Sequence, residues 1–226
     1  MADVCEGYSY WLAAEDVLPI IAFGVGFYYV SKRIVATVPQ ARIPVGLAAV
    51  LLVAGFALAG PIRKAFIAAD SSLCESAGWM QLPAFTSVPA CFAILAWAML
   101  SVAIKRVAPW WPFAVAVVLI YGAAIMAGDT IVLLAGGGLL AVFFALASAT
   151  VAVQQRDRIT AVLFVLYAVG TLALPVLGSN DDRSAVTNQW IEQITNTVTL
   201  GTLALAGYLL LRSYQRTDTR SVLVEN

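Results

Sequence analysis

The sequence predicts an all-α polytopic membrane protein, a single domain of seven transmembrane helices with the N-terminus outside and the C-terminus cytoplasmic. Three observations carry that expectation. The 226 residues are 62% apolar and only 12% charged, against roughly half and a quarter in a soluble domain. The mean hydropathy is +0.89, so lipid must cover much of the surface. The charges are also sorted by side, as the elements below make plain.

A membrane span needs about 20 predominantly apolar residues at 1.5 Å rise each. Such stretches fall at about 11–31, 43–62, 82–104, 109–127, 130–153, 159–177 and 184–211. The first is expected to stop at Lys32-Arg33 and the third at Lys105-Arg106. The second continues with a polar end toward Ala69. Only Gly128-Asp129 separates the fourth from the fifth, and one helix of about 45 residues would be more than twice a bilayer, so a tight helical hairpin is expected there. The sizeable loops are expected at 70–81 and 178–183 on one side and 32–42 on the other.

With the N-terminus outside, Lys32, Arg33, Arg42, Lys105, Arg106, Arg156, Arg158, Arg212, Arg216 and Arg220 all fall inside. Arg63, Lys64 and Arg183 remain outside. Asp157, Asp218 and Glu225 are the inner acids, and the other acids lie outside or near the outer ends. The reverse orientation violates the positive-inside rule. Tyr8, Tyr10, Trp11 and Trp79 suit the outer interface; Tyr28, Tyr29, Trp110, Trp111 and Tyr214 suit the inner one. The expected location is the plasma (inner) membrane.

Several function classes drop out. A zero net charge argues against a nucleic-acid partner, which needs a basic face. The chain has no histidine, which excludes His-held haem, His-built zinc sites and Ser-His or Cys-His nucleophile pairs. No cofactor and no metal are expected. The acidic start, Met1 to Glu6, does not read as a cleavable signal peptide. A retinal protein needs a lysine in the middle of its seventh span, and the stretch from Thr197 to Gly207 has none. Pro39-Gln40 is a lone dipeptide without the context that would mark a sugar transporter. Cys5 and Cys74 both map outside, where a disulfide is expected; Cys91 reads as a small apolar residue.

The polar groups that could carry function cluster toward the outer side. Glu15 and Asp16 sit about one turn inside the first span, where a carboxylate is costly. They read either as a cation, proton or amine site, or as a cap on a helix start, which Pro19 would tolerate. Arg63 and Lys64 are the basic pair on that side. They read as partners of Glu15 or Asp16, as an anion site, or as interfacial side chains with wet heads. In the seventh span Asn188, Glu192, Thr195 and Thr199 recur on one helical face, and Gln189, Gln193 and Asn196 widen it. Asp129 is expected to cap the fifth helix, and Gly136-Gly137-Gly138 to permit close helix approach or a kink.

The expected ligand-binding set is therefore Glu15, Asp16, Arg63, Lys64, Asn188, Glu192 and Asn196. The leading expectation is that the protein binds or transports a small polar or charged solute through an outward-facing polar cavity. Beyond the lipid bilayer and that solute, the expected partners are other membrane proteins or further copies of the chain. The rival readings are a non-catalytic subunit or scaffold of a larger membrane complex and, with less support, a lipid-modifying enzyme.

Overall fold

The computed structural model describes the backbone of residues 9–178 and 186–224, with side chains for 9–174 and 187–216. Within them the chain is all-helical, without strands. Five stretches are long and apolar enough to cross a membrane: Tyr10–Thr37, Pro39–Ala69, Ser76–Ala103, Ile131–Gln154 and Thr187–Arg216. Two shorter apolar helices, Trp111–Ala127 and Arg158–Leu174, accompany them. Residues 179–183 of the loop expected at 178–183, and Cys5, lie outside the described residues.

Helix α1 (Tyr10–Glu15) starts on Ser9, whose Oγ accepts the Leu12 N–H at 3.3 Å. The chain breaks at Asp16 and resumes as α2 (Val17–Thr37). Pro19 lies in the first turn of α2, where its missing N–H costs no bond. The basic pair Lys32-Arg33 does not end this helix as expected, since charges end an apolar span without disturbing backbone hydrogen bonds. The expected loop 32–42 is correspondingly reduced to a 3₁₀ turn, Pro39–Ala41, before α3 (Arg42–Ala57).

From α3 the helix runs through a π-helical segment, Leu58–Ile62, into α4 (Arg63–Ala69). Pro61 sits inside that segment and cannot donate to the helical ladder. A wider local repeat accommodates the proline without stopping the helix. The 70–81 stretch folds into two 3₁₀ turns. Asp70 caps the first by accepting the Ser72 N–H at 2.9 Å.

The remaining helices are α5 (Leu82–Ala103), α6 (Trp111–Ala127), α7 (Ile131–Gln154), α8 (Arg158–Gly178) and α9 (Val186–Val224). Gly128 ends α6 with φ +64. Asp129 Oδ1 accepts the N–H of Ile131 at 2.8 Å, so the expected hairpin and cap both form. At the opposite ends, Lys105 and Arg156 adopt left-handed backbone after α5 and α7. The next N–H groups close back onto Ser101 and Ala152, placing basic side chains by the negative helix termini. Helix α9 continues well past the expected end of the last span.

Neighbouring helices pack in a closed order: α2 on α3, α3 on α5, α5 on α7, α7 on α8, α8 on α9, and α9 back on α2. Helix α6 lies outside that ring against α5 and α7. The ring has no open axis. Phe27, Phe92 and Phe144, from α2, α5 and α7, meet with ring centroids 6.0–6.3 Å apart, and all three are buried. Close approach is set by small residues. A Cβ on Gly137 would collide with Val88 of α5, and one on Gly26 would lie 2.9 Å from Leu203 Cγ. In lipid such contacts, not water exclusion, hold helices together.

Candidate functional site

The break between α1 and α2 decides where the acids go. Asp16 occupies the cap position of α2, yet its side chain makes no capping hydrogen bond. Instead its Oδ2 lies 2.7 Å from Lys64 Nζ on α4, with both side chains largely shielded. The capping reading of Asp16 therefore gives way to the ion pair between the first and second spans. The π-segment makes room for it, because a Cβ on Gly60 would stand 3.2 Å from the same carboxylate oxygen.

Glu15 turns toward α9. Its Oε1 accepts the hydroxyl of Thr197 at 2.5 Å, while its Oε2 is buried without a hydrogen-bond partner. The charges of both Glu15 and Glu192 act on Asp16, so the last helix brings its carboxylate close to the first. Arg63 is buried on α4 and is engaged, not free. Glu15, Asp16, Lys64 and Glu192 thus converge at one end of the bundle, with Arg63 next to them in sequence.

The buried polar positions of α9 are part of the expected face. Gln189 and Gln193 are the buried pair, spaced i, i+4. Asn188, Glu192 and Asn196 are only partly buried beside them. Seven of the ten positions from Asn188 to Thr197 are polar, so periodicity leaves the centre of the stripe ambiguous, and burial falls on Gln189, Gln193 and Thr199. Gln193 Oε1, like Glu15 Oε2, is buried without a partner. Thr195 returns its hydroxyl to the Ile191 carbonyl at 2.7 Å, and Thr199 packs against Gly170 of α8. Those two threonines are structural.

Sequence reasoning missed Thr197 and Gly60, which take their roles only from tertiary contact. It also missed Arg33 at the far end. Arg33 is buried, donates to Thr37 and places its guanidinium carbon 4.2 Å from the Tyr214 ring centroid. With the Gln155 amide turned to present its oxygen, Arg33 also donates to it at 3.2–3.3 Å. One basic residue therefore ties α2 to α9 and to the turn after α7.

Among the described residues two cavities open on the bundle's flanks, and neither is lined by the expected binding residues. One is a groove of about 1000 Å³ on α2, α3 and α9, and the other is an apolar pocket of about 520 Å³ on α5, α6 and α7. Among the described residues no group of His, Cys, Asp and Glu is arranged to hold a metal ion. Cys91 is free and buried, whereas Cys74 is engaged. We found no match between this chain and any protein-family profile, curated protein or solved structure.

Proposed function

We propose that the chain is a seven-span membrane protein, N-terminus outside, that binds a small polar or charged solute at the carboxylate cluster on its outer end. One observation carries the reading: Glu15 Oε2, beside the Asp16–Lys64 pair, and Gln193 Oε1, one turn along α9 from the Thr197 that Glu15 holds, are buried acceptors without donors. Leaving a buried acceptor unsatisfied costs about 1–3 kcal/mol. A ligand that donates hydrogen bonds, such as a cation with its bound water or an amine, recovers that cost.

The seven-span reading takes α6 and α8 as spans beside the five longer ones. At 1.5 Å per residue they run about 26 and 32 Å, close to the roughly 30 Å hydrocarbon core. Orientation rests on the sorted charges and the positive-inside rule. A Cys5–Cys74 disulfide across the outer surface belongs to the same proposal. Thiol counting on the unreduced, unfolded chain is expected to give one free cysteine, not three.

The test is binding and flux in proteoliposomes with a panel of alkali and alkaline-earth cations and small amines. Glu15→Gln and Glu192→Gln are expected to weaken binding about tenfold or more, since hydrogen bonds to charged groups contribute about 1.5–3 kcal/mol. Unchanged binding and flux in both variants would remove the reading. The phenylalanines across the axis favour one alternative, a non-transporting subunit of a membrane complex. That alternative predicts stoichiometric co-purification with partners.

A further inference from the structure

We propose that the groove on α2, α3 and α9 is a binding site for an anionic phospholipid, distinct from the carboxylate cluster. Its floor is apolar and built from small residues, among them Gly24, Gly46, Ala49 and Val53. It follows α3 from Arg42 to Ala57, about 22 Å along the helix axis, which is the direction an acyl chain takes in a bilayer. Its rim at one end is basic. Lys32 and Arg42 are exposed there, and Lys32 Nζ lies 4.7 Å from the Tyr28 ring centroid on the same wall.

Ser31 adds an independent sign. It lines the groove, yet its hydroxyl oxygen is shielded from water and has no hydrogen-bond partner. A serine in a helix ordinarily returns its hydroxyl to a carbonyl of the preceding turn, as Ser101 and Ser148 do here. A lipid ester or phosphate oxygen would supply the missing partner once the side chains that cover the hydroxyl turn aside. An amphiphile with an anionic head fits this charge and apolar layout, with the head at Lys32 and Arg42 and one chain along α3. Anionic lipids are concentrated in the cytoplasmic leaflet, the side on which the sorted charges put these two residues. The inference needs the helices to lie in a bilayer but does not depend on solute binding at the opposite end.

Native mass spectrometry of the full chain in neutral detergent tests it, with phosphatidylglycerol, phosphatidylcholine and soluble glycerol 3-phosphate as probes. Phosphatidylglycerol is expected to bind about 30-fold more tightly than phosphatidylcholine, the effect of two basic groups at the rim. The Lys32→Gln, Arg42→Gln double variant is expected to erase that preference. Gly46→Leu is the second variant: a side chain begun there meets no neighbour within 4 Å and grows into the groove. It is expected to abolish tight lipid binding while the thermal midpoint holds or rises. Equal binding of the two lipids, intact lipid binding in Gly46→Leu, or glycerol 3-phosphate binding as tightly as the lipid would each overturn the proposal. Because Glu15 and Glu192 are untouched in these variants, failure here leaves the solute reading standing and the reverse holds equally.

Discussion

Lys64→Ala is expected to destabilise the protein by about 3–5 kcal/mol, because it strands the Asp16 carboxylate in a shielded site. The pair is close, at 2.7 Å between Nζ and Oδ2, and neighbouring acids act on the same carboxylate. Removing the lysine therefore leaves Asp16 facing Glu15 and Glu192 without a compensating charge. Asp16→Asn in the Lys64→Met background is expected to recover most of the loss, since replacing both members of a buried pair is often close to neutral. Unfolding in mixed micelles with increasing dodecyl sulfate, followed by circular dichroism, reads the difference. A nearly neutral Lys64→Ala would mean that both heads sit in water, where exposed pairs contribute only about 0–1 kcal/mol.

Phe27→Ala is expected to cost about 3 kcal/mol in the same assay. Phe27 is fully buried and touches aromatic neighbours on every side. The Phe23 ring is 4.4 Å away in an edge-to-face arrangement, and Phe92 and Phe144 complete the set. Truncation of a core phenylalanine usually costs about 3–5 kcal/mol. In lipid the unfolded side chain also meets hydrocarbon, so the lower end applies and the lost packing dominates. Phe27→Leu is expected to lose only about 1 kcal/mol, by keeping most of the volume. A neutral Phe27→Ala would show that the axis is not packed as described.

The packed axis also shapes the functional reading. Asp16 and Phe27 are eleven residues apart along the start of α2, about 16 Å of helix. A solute held at the carboxylates is therefore separated from the other end by a layer of phenylalanine. Recognition needs no rearrangement of α2, α5 and α7, whereas passage through the bundle does.

Much of this architecture was legible in the sequence, and the reasons differ by element. Gly128-Asp129 announced a hairpin because only a left-handed residue and a capping carboxylate allow two helices to meet so abruptly. The triple glycine announced close approach, and two of its three positions make it: a Cβ on Gly136 would meet Ile120 and one on Gly137 would meet Val88, whereas one on Gly138 would meet no neighbour. An ion pair between the first two spans was one reading of opposite charges in a region where neither tolerates lipid alone, but which acid meets which base came only from the fold. Other features were hidden. Pro61 signals an interruption, but whether the helix stops, kinks or widens depends on what packs against it. Arg33 read as an ordinary basic stop, and its burial comes from Tyr214, 181 residues away in the chain. On α9 the sequence offered polar groups on adjacent faces, so periodicity alone could not choose Gln189 and Gln193 over Asn188 and Glu192.

The most direct test is an infrared difference spectrum of the reconstituted protein, recorded as each cation or amine of the panel is added. The account predicts a change in the carboxylate stretching bands for at least one probe, reduced in Glu15→Gln and again in Glu192→Gln. A flat spectrum for every probe, or a change that persists undiminished in both variants, would contradict it and leave the acids as struts between the first and last helices.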